Sequence, residues 1–165
     1  MSDYKPTNDK EKELYKVSEA GNCARVRELL EDGADPNKYE NHYGYTALYK
    51  ASDNGHNEVV KTLIQAGAQV NVKNNYGIAA LYWAAVRGHN EVVKTLIQAG
   101  AQVDAKDDIG NTALHLIAGT DKRYIVISLL EAGADPDIQN NKGRIPIDVA
   151  RNSVIAGLEL DITEH

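Results

Sequence analysis

Residues 55–70 read GHNEVVKTLIQAGAQV, and residues 88–103 repeat the same sixteen residues thirty-three positions further on. Self-similarity at a period of roughly 20 to 50 residues is the signature of a repeat array, so the unit has to be found before any element is assigned. Gly44, Gly77, Gly110 and Gly143 keep the same spacing of 33, as do Gly67, Gly100 and Gly133. Three complete units follow, 41–73, 74–106 and 107–139, with a partial unit at 11–40 and a last one at 140–160. One extra residue lies between Gly33 and Gly44. Residues 1–10 and 161–165 are expected to be a flexible N-terminal tail and a C-terminal tail outside a single domain.

Each unit reads as helix, turn, helix and hairpin loop. Thr46-Ala47-Leu48-Tyr49-Lys50-Ala51 opens the first helix: the threonine offers an N-cap oxygen, and Leu48 and Ala51 fall on one face. Gly55 and Gly88 stand where a helix end favours a left-handed residue. Asp121 replaces glycine at that place in the third unit and is expected to enter the left-handed region at some cost, leaving the turn less tightly held. The spacing of Val59, Val60, Leu63 and Ile64 predicts a second amphipathic helix. The stretch from Lys73 to Gly77 supplies Asn and Gly for a turn. A lone helical pair buries too little apolar surface to offset chain entropy, so the units must stack. Leu48, Leu81, Leu114 and Ile147 recur in register, as do Ala51, Ala84, Ile117 and Ala150, and are expected to form a continuous apolar spine. The charged run from Glu11 to Ala20 reads as a polar outer face on the first helix. In the last unit, Ile145 to Ala150 keeps the pattern, while the second helix is expected to dissolve around Leu158 to Asp161.

Composition narrows the function. The 165 residues are 42% hydrophobic and 25% charged, an ordinary globular mixture, with a formal charge of −6. That acidity disfavours phosphate-driven nucleic-acid binding. Residues 39–106 hold 6 basic and 5 acidic side chains against 5 and 10 in 107–165, so the middle is nearly neutral. No apolar run approaches the ~20 residues that cross a bilayer, and Met1 to Lys10 lacks a signal-like pattern. A soluble, cytoplasmic chain without a Sec-type address is expected, with secretion by a non-Sec route left open. The single Cys23 has no intrachain partner and is expected to be an inert thiol, with no His or basic residue placed to lower its pKa. Nine Tyr, one Trp and no Phe place several tyrosines at the surface, since a buried phenol needs a hydrogen-bond partner.

Gly110-Asn111-Thr112-Ala113-Leu114-His115-Leu116-Ile117-Ala118, together with Gly55 to Val60 and Gly67-Ala68-Gln69-Val70-Asn71, resembles the signature of the ankyrin-repeat family over about residues 11–160. The resemblance implies an all-α ankyrin-repeat solenoid: three full repeats between N- and C-terminal capping units, helices in two layers, and projecting hairpin fingers beside a concave groove. The chain departs from the motif at Ala47, Ala80 and Ala113, where the family has proline, at Tyr49 and Tyr82, where it has histidine, and at Ala79, where it has threonine. Hydrogen bonding inside the second full repeat is expected to be incomplete for that reason. Tyr49, Tyr82 and Trp83 are expected in the core or half-buried.

By the same resemblance, partner contacts come from positions flanking the finger glycine and closing the first helix. These are His42, Tyr43, Tyr45, Asp53 and Asn54; Asn75, Tyr76, Ile78, Val86 and Arg87; Asp108, Ile109, Asn111 and Thr120; and Lys142 and Arg144. These positions differ between units whose second helices are identical, as expected if the groove recognises something. Catalytic motifs are missing from the sequence: it has no nucleophile elbow, H-E-x-x-H or phosphate loop. His56, His89 and His115 sit at repeat positions without metal-ligand spacing. Asp53 and His56, three residues apart, do not form an acid–base pair, because the second copy has Val86 in place of Asp53. The expectation is a non-catalytic, monomeric protein-binding module without cofactor, metal, nucleic acid, membrane or small-molecule substrate, acting as an inhibitor, immunity protein, adaptor or effector. A self-assembling structural element and an enzyme with an unrecognised site are the alternatives.

Overall fold

The computed structural model describes residues 9–150. Eight helices lie complete within them: α1 Asp9–Glu19, α2 Cys23–Glu31, α3 Ala47–Asp53, α4 Asn57–Gln65, α5 Ala80–Arg87, α6 Asn90–Gln98, α7 Ala113–Ile117 and α8 Arg123–Glu131. Helical backbone resumes at 146–150. The described residues form no strand, only an isolated antiparallel bridge between Glu40 and Thr46. Helices α1, α3, α5 and α7 stack as one layer and α2, α4, α6 and α8 as the other, each pair joined by its own turn. This is an all-α ankyrin-repeat solenoid.

Local chemistry explains the helix starts. Thr46 is extended, and its Oγ1 accepts the Tyr49 N–H at 3.1 Å. At α7 the Thr112 N–H donates to His115 Nδ1 at 3.1 Å, and the His115 Nε2–H donates to the Arg144 carbonyl at 3.0 Å, tying one unit to the next finger. Ala79 starts α5 with no side-chain cap. The turns carry a second device. The His89 Nε2–H donates to the Asp53 carbonyl at 2.8 Å, fastening the end of α3 to the start of α6. The imidazole lies so close to Gly55 (φ +78°) that a Cβ there would stand 2.6 Å from His89 Nδ1. Glycine is therefore required both for its conformation and for the close approach.

The spine follows the 33-residue register through Leu48, Leu81 and Leu114, all buried, and through Ala51, Ala84, Ile117 and Ala150. Ile147 does not continue it. It is 49% exposed against 4% for Leu81, because Leu81 lies between helices α3 and α7 that pack on both sides of α5. Asp121 is a second correction: no described residue other than glycine has positive φ. The third unit instead shortens its first helix to five residues, and Thr120 closes the turn, donating N–H (3.0 Å) and Oγ1–H (2.8 Å) to the Ile117 carbonyl. Asp9 and Lys10, expected in the tail, form the first turn of α1. The expected loss of the last helix around Leu158 to Asp161 lies outside the described residues.

Candidate functional site

Four fingers are built by one recurring device. An Asn or Asp at the finger base accepts two backbone N–H groups from the tip. Asn41 Oδ1 takes those of Tyr43 and Tyr45 (3.0 and 3.1 Å), Asn74 those of Tyr76 and Ile78 (2.9 and 3.0 Å), Asp107 those of Ile109 and Asn111 (3.0 and 2.9 Å), and Asn140 those of Lys142 and Arg144 (2.9 and 3.1 Å). Such Asx turns suit these two residues because the short side chain reaches backbone two residues on. The fingers are then laced together: the N–H groups of Asn75, Asp108 and Asn141 donate to the carbonyls of Tyr43, Tyr76 and Ile109 at 3.1, 3.3 and 3.1 Å. With the backbone held inward, the tip side chains point out, and Tyr43, Tyr76 (49%) and Ile109 (62%) are exposed.

Between the fingers and α5 lies an open groove of about 370 Å³, lined by Tyr45, Tyr76, Ile78, Trp83, Asp107, Asp108 and Ile109. Tyr45 stacks flat on Tyr49 (centroids 4.4 Å, 9°) and also approaches Tyr43, whose ring meets that of His42 at a tilt of 46°. Trp83 packs edge-on against Tyr82. The Arg87 guanidinium stands 5.5 Å over the Trp83 ring while its Nε donates to Asp53 at 3.0 Å. The Tyr82 hydroxyl donates to Asp107 Oδ2 at 2.6 Å. Burial, first of all, pushes the Tyr49 and Tyr82 phenols far above their ordinary range, so both stay neutral hydrogen-bond donors. A depression of equal volume between α6 and α8 is lined by Lys94, Ile97, Gln98, Ser128, Glu131 and Ala132. Lining chemistry separates the two sites, because only the finger groove gathers aromatic and branched apolar side chains with a few polar groups.

Of the sequence-derived contact residues, Tyr45, Tyr76, Ile78, Asp108 and Ile109 meet in the groove, and His42, Tyr43, Asp53 and Arg87 adjoin it through the ring and ion-pair contacts above. Val86 is half-buried against the core. Asn54 Nδ2 donates to the Glu19 carbonyl (3.0 Å) and Asn75 Nδ2 to that of His42 (3.0 Å). Thr120 closes its turn. Lys142 is exposed on the fourth finger, and Arg144 is half-buried there. Asn111 is corrected: it is 8% exposed, because its Oδ1 turns inward to accept from Asn140 Nδ2 at 2.9 Å. Asp53 and His56 bond to different groups, Arg87 and the Glu19 carbonyl. Cys23 Sγ rests 3.6 Å from Thr62 Oγ1.

Two groove residues were not among the sequence-derived contacts: Trp83, half-buried as expected, and Asp107. The sequence carried little signal for Trp83, since Lys50 at the same repeat position is itself half-buried, its ammonium paired with Glu19 at 2.9 Å. Across the molecule, the exposed face of α4 and α6 carries Glu58–Lys61 and Glu91–Lys94 ion pairs at 3.0 and 3.2 Å. At the matching positions α8 has Tyr124 and Ile127, both exposed. No helix among the described residues is long and apolar enough to cross a membrane.

A family model described as ankyrin repeats, in three copies, matches residues 14–107 and 69–140. Among curated proteins the chain is similar to the mouse 2-5A-dependent ribonuclease (40% identical over 55 residues) and to the human mitochondrial disaggregase (38% over 68). It is also similar to the human ankyrin repeat domain-containing protein 39 (34% over 65). The aligned segments are 33%, 41% and 39% of this chain but only 8%, 10% and 35% of those proteins. Fold, fingers and family match agree that the chain belongs to the ankyrin-repeat family, whose repeats are generally non-catalytic modules for protein–protein interaction.

Proposed function

We propose that this protein takes a partner protein on the groove between its fingers and α5, without catalysis and as a monomer in the cytoplasm. The supporting observation is the exposure of Tyr76 and Ile109 on backbone already held by Asx turns and finger-to-finger hydrogen bonds, beside the half-buried Trp83. Aromatic side chains of this kind dominate interface energetics, and a preformed frame lowers the ordering cost of association. On this reading the chain acts by occupying its partner, as an inhibitor, adaptor, immunity protein or effector would.

The test compares two variants against a partner captured from the native source. Tyr76→Ala is expected to lose at least ~2 kcal/mol of binding, as a central aromatic anchor does. Lys61→Ala, on the opposite face, is expected to stay within about 0.5 kcal/mol. Loss in the Lys61 variant with retention in the Tyr76 variant moves the partner to the other face and overturns the proposal. The exposed Tyr124, Ile127 and Leu130 of α8 favour a second reading, self-association through that helix, which light scattering over a range of concentrations would reveal as a rise in mass.

A further inference from the structure

Adjacent acids in the third finger have opposite surroundings. Asp107 is saturated, with Oδ1 accepting two backbone N–H groups and Oδ2 the Tyr82 hydroxyl. Asp108 interrupts a ladder. At the equivalent place in the fingers before and after it stand asparagines, and each donates its Nδ2 to the carbonyl one finger back: Asn75 to His42 at 3.0 Å, Asn141 to Asp108 at 3.1 Å. A carboxylate has no proton to donate, so the Asn75 carbonyl receives no such bond. The Asp108 side chain nevertheless keeps the ladder's direction: a Cβ on Gly77 would stand 2.8 Å from Asp108 Oδ1. Among the described residues Asp108 has no ion pair, whereas Asp53, at the groove's edge, is paired with Arg87. The apolar groove therefore has an exposed carboxylate, Asp108, in its lining, and next to it in the ladder, outside the lining, the Asn75 carbonyl: two acceptors without a donor.

We infer that the partner segment held in this groove seats a bulky apolar side chain against Tyr76, Trp83 and Ile109 and follows it with a lysine or arginine whose N–H groups bridge the Asp108 carboxylate and the Asn75 carbonyl. The inference rests on the groove reading above and adds the chemistry of what fills it. Lys and Arg carry several donors and no acceptor, which matches a site made of acceptors alone, and a charge-assisted bond to a carboxylate is about twice as strong as a neutral one. An acidic segment would meet Asp108 with like charge and be rejected.

Asn at positions 75 and 141 makes Asp108→Asn a substitution the fold already accommodates. It restores the missing donor, so the urea midpoint should hold or rise while recognition of a basic side chain weakens; a role confined to folding would move both in the same direction. The probe is a random twelve-residue peptide library selected against the full chain, with a Tyr76→Ala/Ile109→Ala double variant as control. Enriched peptides are expected to pair a bulky apolar residue with Lys or Arg. A synthetic peptide of the enriched sequence should bind Asp108→Asn about tenfold more weakly, as loss of a hydrogen bond to a charged group implies. Selection against Asp108→Lys should enrich Asp and Glu instead. If enriched peptides depend on Tyr76 and Ile109 but carry no basic residue, or bind Asp108→Asn unchanged, this inference fails and the groove reading stands. If none is enriched over the double variant, both fail.

Discussion

Ala79→Thr should stabilise the protein, and the structure supplies the size of the effect. Ala79 opens α5 with φ −95° and ψ 169°, nearly the same backbone as Thr46 (−84°, 168°) and Thr112 (−89°, 168°), so the substitution demands no backbone rearrangement. At Thr46 the hydroxyl oxygen accepts the Tyr49 N–H, whereas the corresponding N–H of Tyr82 reaches only the Ala79 carbonyl, at 3.2 Å. The void bordering Ala79, Leu81, Tyr82, Gln102, Val103, Ala105 and Ala113 is only about 10 Å³, so the added methyl has to be accommodated by its neighbours and sets a packing cost against the cap. Restoring an N-cap oxygen contributes about 0.5 to 2 kcal/mol. With a urea slope of about 2 kcal/mol/M, a gain near 1 kcal/mol raises the midpoint by about 0.5 M. Trp83, the chain's one tryptophan, lies within α5 and reports the transition by its fluorescence. Ala79→Val isolates the packing contribution, because valine fills the same space without an acceptor. If Ala79→Thr does not exceed Ala79→Val, the missing cap is not what limits this helix and the reasoning fails.

Leu81→Ala, inside the spine, is expected to cost about 2 to 5 kcal/mol as a buried large-to-small change, and Ile147→Ala, half-exposed at the end of the described fold, to fall within about 1 kcal/mol; equal shifts in the urea midpoint would refute the burial pattern. Tyr82→Phe removes the 2.6 Å bond to Asp107 and is expected to cost about 1 to 3 kcal/mol, read by the same titration. Burial pushes the Tyr15 phenol from its ordinary 10 up to about 12 and raises Tyr49 and Tyr82 further. The unfolded chain therefore loses these protons first, and stability that is complete below pH 10 should decline as pH rises through 10 to 12. Tyr15→Phe should flatten that decline, and an unchanged slope in unfolding measured from pH 9 to 12 would argue against it.

The backbone path was legible because a repeat writes its rules several times over. One glycine is weak information, but Gly55 and Gly88 with the same sixteen residues behind them locate a helix end, and both have positive φ. Register read from position alone failed where the neighbour changes. Ile147 has the sequence position of a spine residue, but burial depends on helices packed from both sides. Asp121 occupies a glycine position, but the chain was free to shorten α7 instead of straining the aspartate. These are tertiary choices among local solutions of similar energy, and a pattern of residue types does not rank them.

The groove was legible in outline for a different reason: variation among copies marked the finger tips, and exposure of Tyr76 and Ile109 followed from the Asx turns beneath them. Side-chain direction was not. Asn111 and Ile78 share a repeat position, but Asn111 turns inward because Asn140, 29 residues away, offers it a proton, whereas Ile78 has no polar group to satisfy and faces the groove. Asp107 and Asp108 differ likewise. The first is consumed by Tyr82, 25 residues earlier, and the second makes no ladder bond because aspartate stands where its equally exposed neighbours, Asn75 and Asn141, have an amide to donate. A carboxylate in place of an amide forfeits a hydrogen bond of the scaffold, and departures of that kind from otherwise consistent local rules concentrate where a protein meets something else. The one-residue difference between Asp108 and the asparagines on either side of it is thus the point at which stability and recognition make opposite demands on this fold.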